Sequence, residues 1–154
     1  MKKYILLDFD GVMIPSKPWK PVTLLSDGFY EFSDSAIYNL NRIINETGYE
    51  TEIILITSHK TSYPNSEWVK IFKFRGILSK VNRLDDSLIH SKRINEVLNW
   101  FNINSECKFV ILDDDKSLND LPTMIKNHLV LCDSGIGLTS DKTELAIKIL
   151  NNDF

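Results

Sequence analysis

The chain has 154 residues, a length that suits one domain with a sizeable buried core. Apolar residues make up 43% of it and charged residues 25%, as in a soluble globular protein, and no apolar run reaches the roughly 20 residues of a membrane helix. The net charge of −3 excludes a general attraction for nucleic acids or anionic membranes. The apolar run after the initial "MKK" is too short for a signal peptide, so we expect a single cytoplasmic domain over residues 1–154.

The first strand is predicted at residues 3–9, where a short apolar run ends in a turn signal. Residues 12–32 contain prolines and an Asp-Gly pair, and they predict an irregular insertion with a β-hairpin around "VTLLSDGFYEF". We call residues 12–32 the flap. Ser33 or Asp34 is expected to cap the first helix, and Gly48 to end it.

The rest of the chain alternates between strands and helices. Further strands are predicted in the short apolar runs at residues 52–57, 78–84, 108–112 and 128–132. Helices are predicted to start at Pro64, at Ser91, near residue 117, and at Thr139 or Ser140. Because the strands are continuous apolar runs, the pattern favours an α/β fold with a parallel sheet covered by helices on both faces.

Polar residues stand where these elements end or begin. They are Asp8 and Asp10 after the first strand, Thr57 after the second, Asp113 and Asp114 after the fourth, and Lys92 and Arg93 at the start of a helix. Each feature alone is typical of a turn or a solvated loop. Ligands of open α/β sheets bind beyond the carboxyl ends of the strands, so the joint placement predicts one shared site there.

The ordered set resembles the haloacid-dehalogenase-like (HAD) phosphohydrolase superfamily. The four motifs that carry the resemblance are "ILLDFDGV", "IILITS", "SKRINEVLNWF" and "FVILDDD". The spacing of Arg93, Val97 and Trp100, and the late "CDSGIGLT", resemble one branch, the HAD domain of "Swiss Army Knife" RNA-repair proteins. The resemblance implies a three-layer Rossmann-like (HAD-like) sheet with little or no cap domain, and the flap as the main lid.

The resemblance also implies a phosphomonoesterase that acts through an aspartyl-phosphate. Asp8 would be the nucleophile and Asp10 the general acid and base, since side chains two apart on an extended strand share a face. Thr57 would bind a phosphoryl oxygen. Arg93 would stabilise the charge on nucleophile and phosphate, although Lys92 is the commoner residue type for this motif.

Mg²⁺ is the cofactor that the resemblance implies. The ion would be held by Asp8, the backbone carbonyl of Asp10, Asp113 and Asp114. Asp115 would support the loop that follows the fourth strand. Without a cap, the site would admit a phosphorylated small molecule, such as a nucleotide, or a nucleic-acid end. No membrane partner is expected, and the oligomeric state is not predicted.

Several residues are not given a catalytic role. The family branch often has Trp-Arg after the second motif, where this chain has His59-Lys60, and a solvated side chain is favoured for Lys60. Asp133 is expected in a turn. Cys107 and Cys132 are expected as buried free thiols of a reducing compartment.

Other interpretations stay open. The chain would otherwise be a catalytically silent HAD-like binding protein, or a receiver-type phosphoacceptor signalling module. The flap aromatics would either stack on a base or sugar or pack beneath the flap; they are Trp19, Phe29, Tyr30 and Phe32.

Overall fold

The computed structural model describes residues 2–48 and 50–152. Its strands are β1 (Lys3–Leu7), β2 (Glu52–Leu55), β3 (Val81–Arg83), β4 (Lys108–Asp113) and β5 (Leu129–Leu131). Within the described ranges these five strands form one parallel sheet in the order β3-β2-β1-β4-β5. The parallel sheet predicted from the alternating pattern is therefore confirmed.

Helices cover both faces of the sheet. They are α1 (Asp34–Thr47), α2 (Asn65–Phe74), α3 (Arg93–Ile103), α4 (Thr123–Lys126) and α5 (Ser140–Asn151). Short 3₁₀ helices lie at Ser58–Ser62, Asp86–Leu88 and Lys116–Asp120. In the described part of the chain, no helix combines the length and the apolar character needed to cross a membrane.

The core is divided between the two faces by the alternation of strand side chains. Ile5 and Leu7 point to the face that α1, α2 and α5 cover, where they join the buried ring of Trp68. Leu6, between them, points to the opposite face and joins Trp100 of α3. A parallel sheet buried on both faces needs apolar residues at every strand position, which explains the continuous apolar runs.

The strand order reverses between β1 and β4. After β3 the chain returns past β1, so β2 and β4 flank β1 on either side. Leu7 is in register with Leu55 on one neighbour and with Leu112 on the other. The residues that follow these three positions therefore leave the sheet side by side, at the crevice where ligands of open α/β sheets bind.

One predicted helix is divided in two. The segment 117–126 forms the 3₁₀ helix Lys116–Asp120 and then α4, with Leu121 extended between them (φ −59°, ψ 147°). Pro122 explains the break, because proline disfavours a helical conformation of the residue before it and has no N–H to donate.

Helix caps were partly predictable. Ser33 caps α1 and Thr139 caps α5 through their side-chain oxygens, as predicted. The prediction of Ser91 as the cap of α3 is wrong. Lys92 occupies that position without a side-chain hydrogen bond, and the helix begins at Arg93.

The flap contains the predicted hairpin, although its antiparallel pairing is limited to one bridge, between Leu24 and Tyr30. Phe29 and Phe32 are buried in the core, so these aromatics pack beneath the flap. Trp19 is different, because its side chain is 80% exposed.

A buried arginine fastens the flap to the end of α2. The Arg75 guanidinium donates to Asp27 Oδ2 at 2.6 Å and to the carbonyl of Tyr30 at 2.8 Å. It also lies over the rings of Phe29 and Phe32, at 5.6 and 5.2 Å from their centroids. The second half of the flap is therefore fixed against the core. The expectation that the flap acts as a lid applies at most to its exposed first half.

The two cysteines are free thiols, but only one is fully buried. Cys132 is buried as predicted, whereas Cys107 is half-buried. Burial raises the pKa of Cys132 to about 12 and that of Cys107 to about 11, so both stay protonated at neutral pH.

The Arg75 contacts should be a large part of the stability of the flap. We expect Arg75→Met to lower the free energy of unfolding by about 3 kcal/mol, because Asp27 and the Tyr30 carbonyl would lose their buried partner. Arg42→Met is the control, since Arg42 makes its ion pairs at the surface and should matter far less. Urea denaturation of both variants checks this, and equal losses would contradict it.

Candidate active site

Three carboxylates meet at the crevice between β1 and β4. Asp8 follows β1, Asp113 ends β4, and Asp114 is the next residue. One oxygen from each lies within 4.8 Å of the others. Asp8 is 5% exposed and Asp113 is fully buried. The structure thus brings together acids that stand about a hundred residues apart in the sequence.

Arg93 is the cation that reaches these acids. Its Nη1 donates to Asp113 Oδ2 at 2.5 Å and lies 3.5 Å from Asp8 Oδ1. Lys92, the alternative considered from the sequence, is exposed at the N-cap of α3 and belongs to none of the ion pairs in the described residues. The first helical position points inward, because the residues three and four further on lie on the buried face of α3.

The charge of the cluster is incompletely balanced. Three carboxylates face one guanidinium, which leaves two negative charges when all are ionised. Burial, followed by the charge of Asp113, raises the pKa of Asp8 to about 9, against the opposing effect of Arg93. Burial also raises the pKa of Asp114. A cluster of carboxylate oxygens with this excess charge fits a hard divalent cation such as Mg²⁺.

Gly11 allows Asp114 to approach the turn after β1. Its φ of +80° lies in the left-handed region that favours glycine. A Cβ built on Gly11 would lie 2.0 Å from Asp114 Oδ2 and 2.9 Å from Asp114 Cβ, so a larger residue would displace the whole side chain.

Thr57 is fully buried next to this cluster. It leaves β2 beside the end of β1, where the Ile56 N–H donates to the carbonyl of Leu7 at 3.0 Å. Its Oγ1 accepts a hydrogen bond from the His59 N–H at 3.3 Å and so caps the 3₁₀ helix that follows. Its role toward a phosphoryl oxygen stays a prediction.

Asp10 lies at the open side of the site. Its side chain is 60% exposed, and its Oδ2 is 3.1 Å from His59 Nε2. This carboxylate is outside the three-acid cluster. The metal contact predicted for Asp10 is through its backbone carbonyl, and it stays a prediction.

Lys60 is not the solvated lysine that the sequence favoured. Its side chain is 8% exposed, and its Nζ pairs with the buried Glu96 carboxylate at 3.0 Å and with the Thr57 carbonyl at 3.3 Å. Glu96 also faces Arg93, with Nε 3.6 Å from Oε1. One buried carboxylate therefore fixes two cations, one of which reaches the nucleophile candidate Asp8.

Glu96 was missed although the sequence contains a signal for it. It stands three residues after Arg93, next to Val97 and one turn before Trp100, on the buried face of α3. A charged residue on an apolar helix face needs a partner of opposite charge. The sequence does not show that the partner is Lys60, which lies on a different element.

Two other acids have structural roles, as predicted. Asp115 Oδ1 accepts from the Ser117 N–H at 2.9 Å and caps a 3₁₀ helix, while its own N–H donates to Asp113 Oδ1 at 3.0 Å. Asp133 Oδ1 accepts from the Gly135 N–H at 3.0 Å and so shapes a turn.

Gly11 offers a test of the cluster as a metal site. Gly11 and Gly28 both have positive φ values, +80° and +87°, so alanine strains either backbone by about 1–2 kcal/mol. Only at Gly11 would the new Cβ collide with Asp114, since nothing lies within 4 Å at Gly28.

We therefore expect MgCl₂ to raise the thermal unfolding midpoint of the wild type and of Gly28→Ala, but not that of Gly11→Ala. Differential scanning fluorimetry with and without MgCl₂ measures these midpoints. The same rise in all three proteins would contradict a metal site that needs Asp114 in place.

Comparison with known proteins agrees with this geometry. Residues 4–143 match the family described as the HAD domain in Swiss Army Knife RNA repair proteins. Neither the curated proteins nor the solved structures include a significant match. The family match covers all four motif segments and the whole sheet except Lys3, the first residue of β1. The chain therefore belongs to the family of HAD domains found in Swiss Army Knife RNA repair proteins.

Proposed function

We propose that the protein is a Mg²⁺-dependent phosphomonoesterase that acts through an aspartyl-phosphate on Asp8. The observation that carries the proposal is the position of Asp8, which is buried at the strand-order reversal between the Arg93 guanidinium and two further carboxylates. HAD-family membership supports a phosphohydrolase in general. The residues present offer a candidate for each group that the proposed reaction requires.

In the first step, an Asp8 carboxylate oxygen attacks the phosphorus of the substrate. A bond forms between this oxygen and phosphorus as the bond from phosphorus to the ester oxygen breaks. Asp10, in its protonated form, gives its proton to the departing ester oxygen. Arg93 lies where it would stabilise the negative charge on Asp8 and the transferring group.

In the second step, water attacks the phosphorus of the aspartyl-phosphate. Asp10, now ionised, takes a proton from that water. The bond between phosphorus and the Asp8 oxygen breaks, which releases inorganic phosphate and restores both side chains. The exposure of Asp10 suits this role, because solvent water reaches it directly.

Asp8, Asp113 and Asp114 would hold Mg²⁺, with the backbone carbonyl of Asp10 as a further oxygen ligand. When bound, the cation supplies positive charge that offsets the carboxylates and the incoming phosphate. The excess of carboxylates over the single guanidinium, which also contributes to the raised pKa of Asp8, is the feature of this chain that fits a cation.

The receiver interpretation does not agree with the strand order. Flavodoxin-like receivers have the order 2-1-3-4-5, whereas this sheet has β3-β2-β1-β4-β5. A silent binding protein remains the competing proposal, and the assays below separate it from an enzyme.

We propose a nucleic-acid end as the substrate, ahead of a small phosphate ester. Trp19 is 80% exposed, and Lys17 and Lys20 flank it in the first half of the flap. Both lysines also line a groove of about 260 Å³ beside the start of α1, which Glu31 and Asp34 line as well. Exposed aromatic rings between cations bind single strands by stacking and by attraction of phosphates. For the location we propose the cytoplasm, where free thiols stay reduced.

Phosphate release tests the reaction. A nitrophenyl phosphate, a panel of nucleotides, and 3′- and 5′-phosphorylated oligonucleotides are compared with Mg²⁺ and with chelator. We expect Asp8→Asn to lower the rate at least about a thousandfold and Asp10→Asn about 10²–10⁴-fold. Asp115→Asn is the matched control, since asparagine caps as well as aspartate.

Mass spectrometry of the Asp10→Asn protein after a short incubation should find phosphate on Asp8, because hydrolysis of the intermediate lacks its base. Equal rates for the wild type and Asp8→Asn would exclude the mechanism. A wild type that binds phosphate esters without releasing phosphate would favour the silent binding protein.

Trp19→Ala tests the substrate class. We expect it to raise KM for a phosphorylated oligonucleotide by about 5- to 100-fold, the loss of one stacked base, and to leave KM for nitrophenyl phosphate unchanged. Tyr38→Ala is the control, because Tyr38 is a 67% exposed aromatic on α1. Unchanged oligonucleotide kinetics in Trp19→Ala would argue for a small-molecule substrate.

A further inference from the structure

The carboxylate of Asp10 has one side-chain partner among the described residues, and that partner is His59. The distance between His59 Nε2 and Asp10 Oδ2 is 3.1 Å. An ionised carboxylate only accepts hydrogen bonds, so the ring N–H at Nε2 is the donor in that state. A 60% exposed aspartate would otherwise sample several rotamers.

The His59 ring is itself held in place on several sides. It stacks on Phe9 with centroids 6.2 Å apart and an interplanar angle of 27°. Two flap residues contact its other sides: the Phe29 ring is 5.7 Å away and nearly perpendicular, and the Tyr30 ring is 5.8 Å away. Arg75 donates to the Tyr30 carbonyl and lies over the Phe29 ring, so both flap residues are held in place. The ring packed between them and Phe9 is therefore restrained, and with it the donor atom His59 Nε2.

We infer that His59 is a positioning residue that holds the Asp10 carboxylate in the conformation its acid–base role requires. That this conformation serves catalysis rests on the proposed function. That Asp10 is held in it rests on the hydrogen bond to His59 and on the cage of Phe9, Phe29 and Tyr30 rings around His59. His59 does not need to touch the substrate. It acts by restricting the rotamers of the residue that gives and takes the proton.

A matched pair of variants separates the hydrogen bond from the packing. His59→Phe keeps a ring in the cage but has no donor, whereas His59→Gln places an amide N–H at a similar reach. We expect His59→Phe to lower kcat by about 10- to 100-fold with little change in KM, and His59→Gln to restore part of that loss. Wild-type kcat in His59→Phe would overturn the inference.

Two measurements distinguish positioning of Asp10 from a role of His59 in stability alone. An alkyl phosphate depends on protonation of its leaving oxygen more than a nitrophenyl ester does, so His59→Phe should slow the alkyl ester more. In an Asp10→Asn background, adding His59→Phe should change the remaining rate by less than about twofold. If His59→Phe lowered the rate as much in the Asp10→Asn protein as in the wild type, His59 would act on something other than Asp10, which would overturn the inference.

Crystal structures of the wild type and His59→Phe give a readout that does not depend on activity. We expect the Asp10 side chain to leave its position in the variant, while Asp8, Asp113 and Arg93 stay in place. An Asp10 side chain that keeps its position would overturn the inference even if the wild type proved inactive. Absence of wild-type activity together with a displaced Asp10 would reject the proposed function and leave the positioning role supported.

Discussion

The excess negative charge between β1 and β4 is the constraint on which the candidate site depends. Asp8 and Asp113 are buried there at the ends of β1 and β4, and Asp114 fits closely against the turn at Gly11. Arg93 balances only part of this charge. Burial without compensation is unfavourable for ionised groups, so the features that would bind a cation are the same features that oppose folding in its absence.

Two further buried charges, Glu96 and Lys60, hold Arg93 in place beside the three carboxylates. Moving outward from Asp113, the side chains alternate in sign through Arg93 and Glu96 to Lys60. Each of these four side chains therefore has a neighbour of opposite sign, and Arg93 and Glu96 each contact more than one. Such a chain fixes the direction of the Arg93 guanidinium, on which its proposed stabilisation of a transferring phosphoryl group would depend.

Much of the fold and the grouping of the candidate site residues could be predicted, because both depend on where short apolar runs end. Asp8, Thr57 and Asp113 follow directly from that rule together with the parallel sheet. The choice between Lys92 and Arg93 could not be made from residue type, because it depends on the residue at which α3 begins.

The missed residues share a physical cause. His59 and Lys60 acquire their roles from partners on other elements, Asp10 and Glu96, and nothing local in "SHK" distinguishes a buried pair from a solvated loop. The departure from the family's Trp-Arg at these two positions marked them as unusual, but it did not indicate their contacts. A single sequence gives little information about which polar side chains pair over long distances along the chain.

The open and fixed surface around Asp10 has a consequence for the fate of the proposed aspartyl-phosphate. An enzyme that passes a phosphoryl group to an acceptor other than water has to close over its intermediate and exclude solvent. Here the residue that would activate the acceptor is 60% exposed, and the neighbouring half of the flap is fastened by Arg75. Any alternative acceptor would compete with water at Asp10, so the exposure of this side chain favours the proposed hydrolase over a phosphotransferase or a mutase.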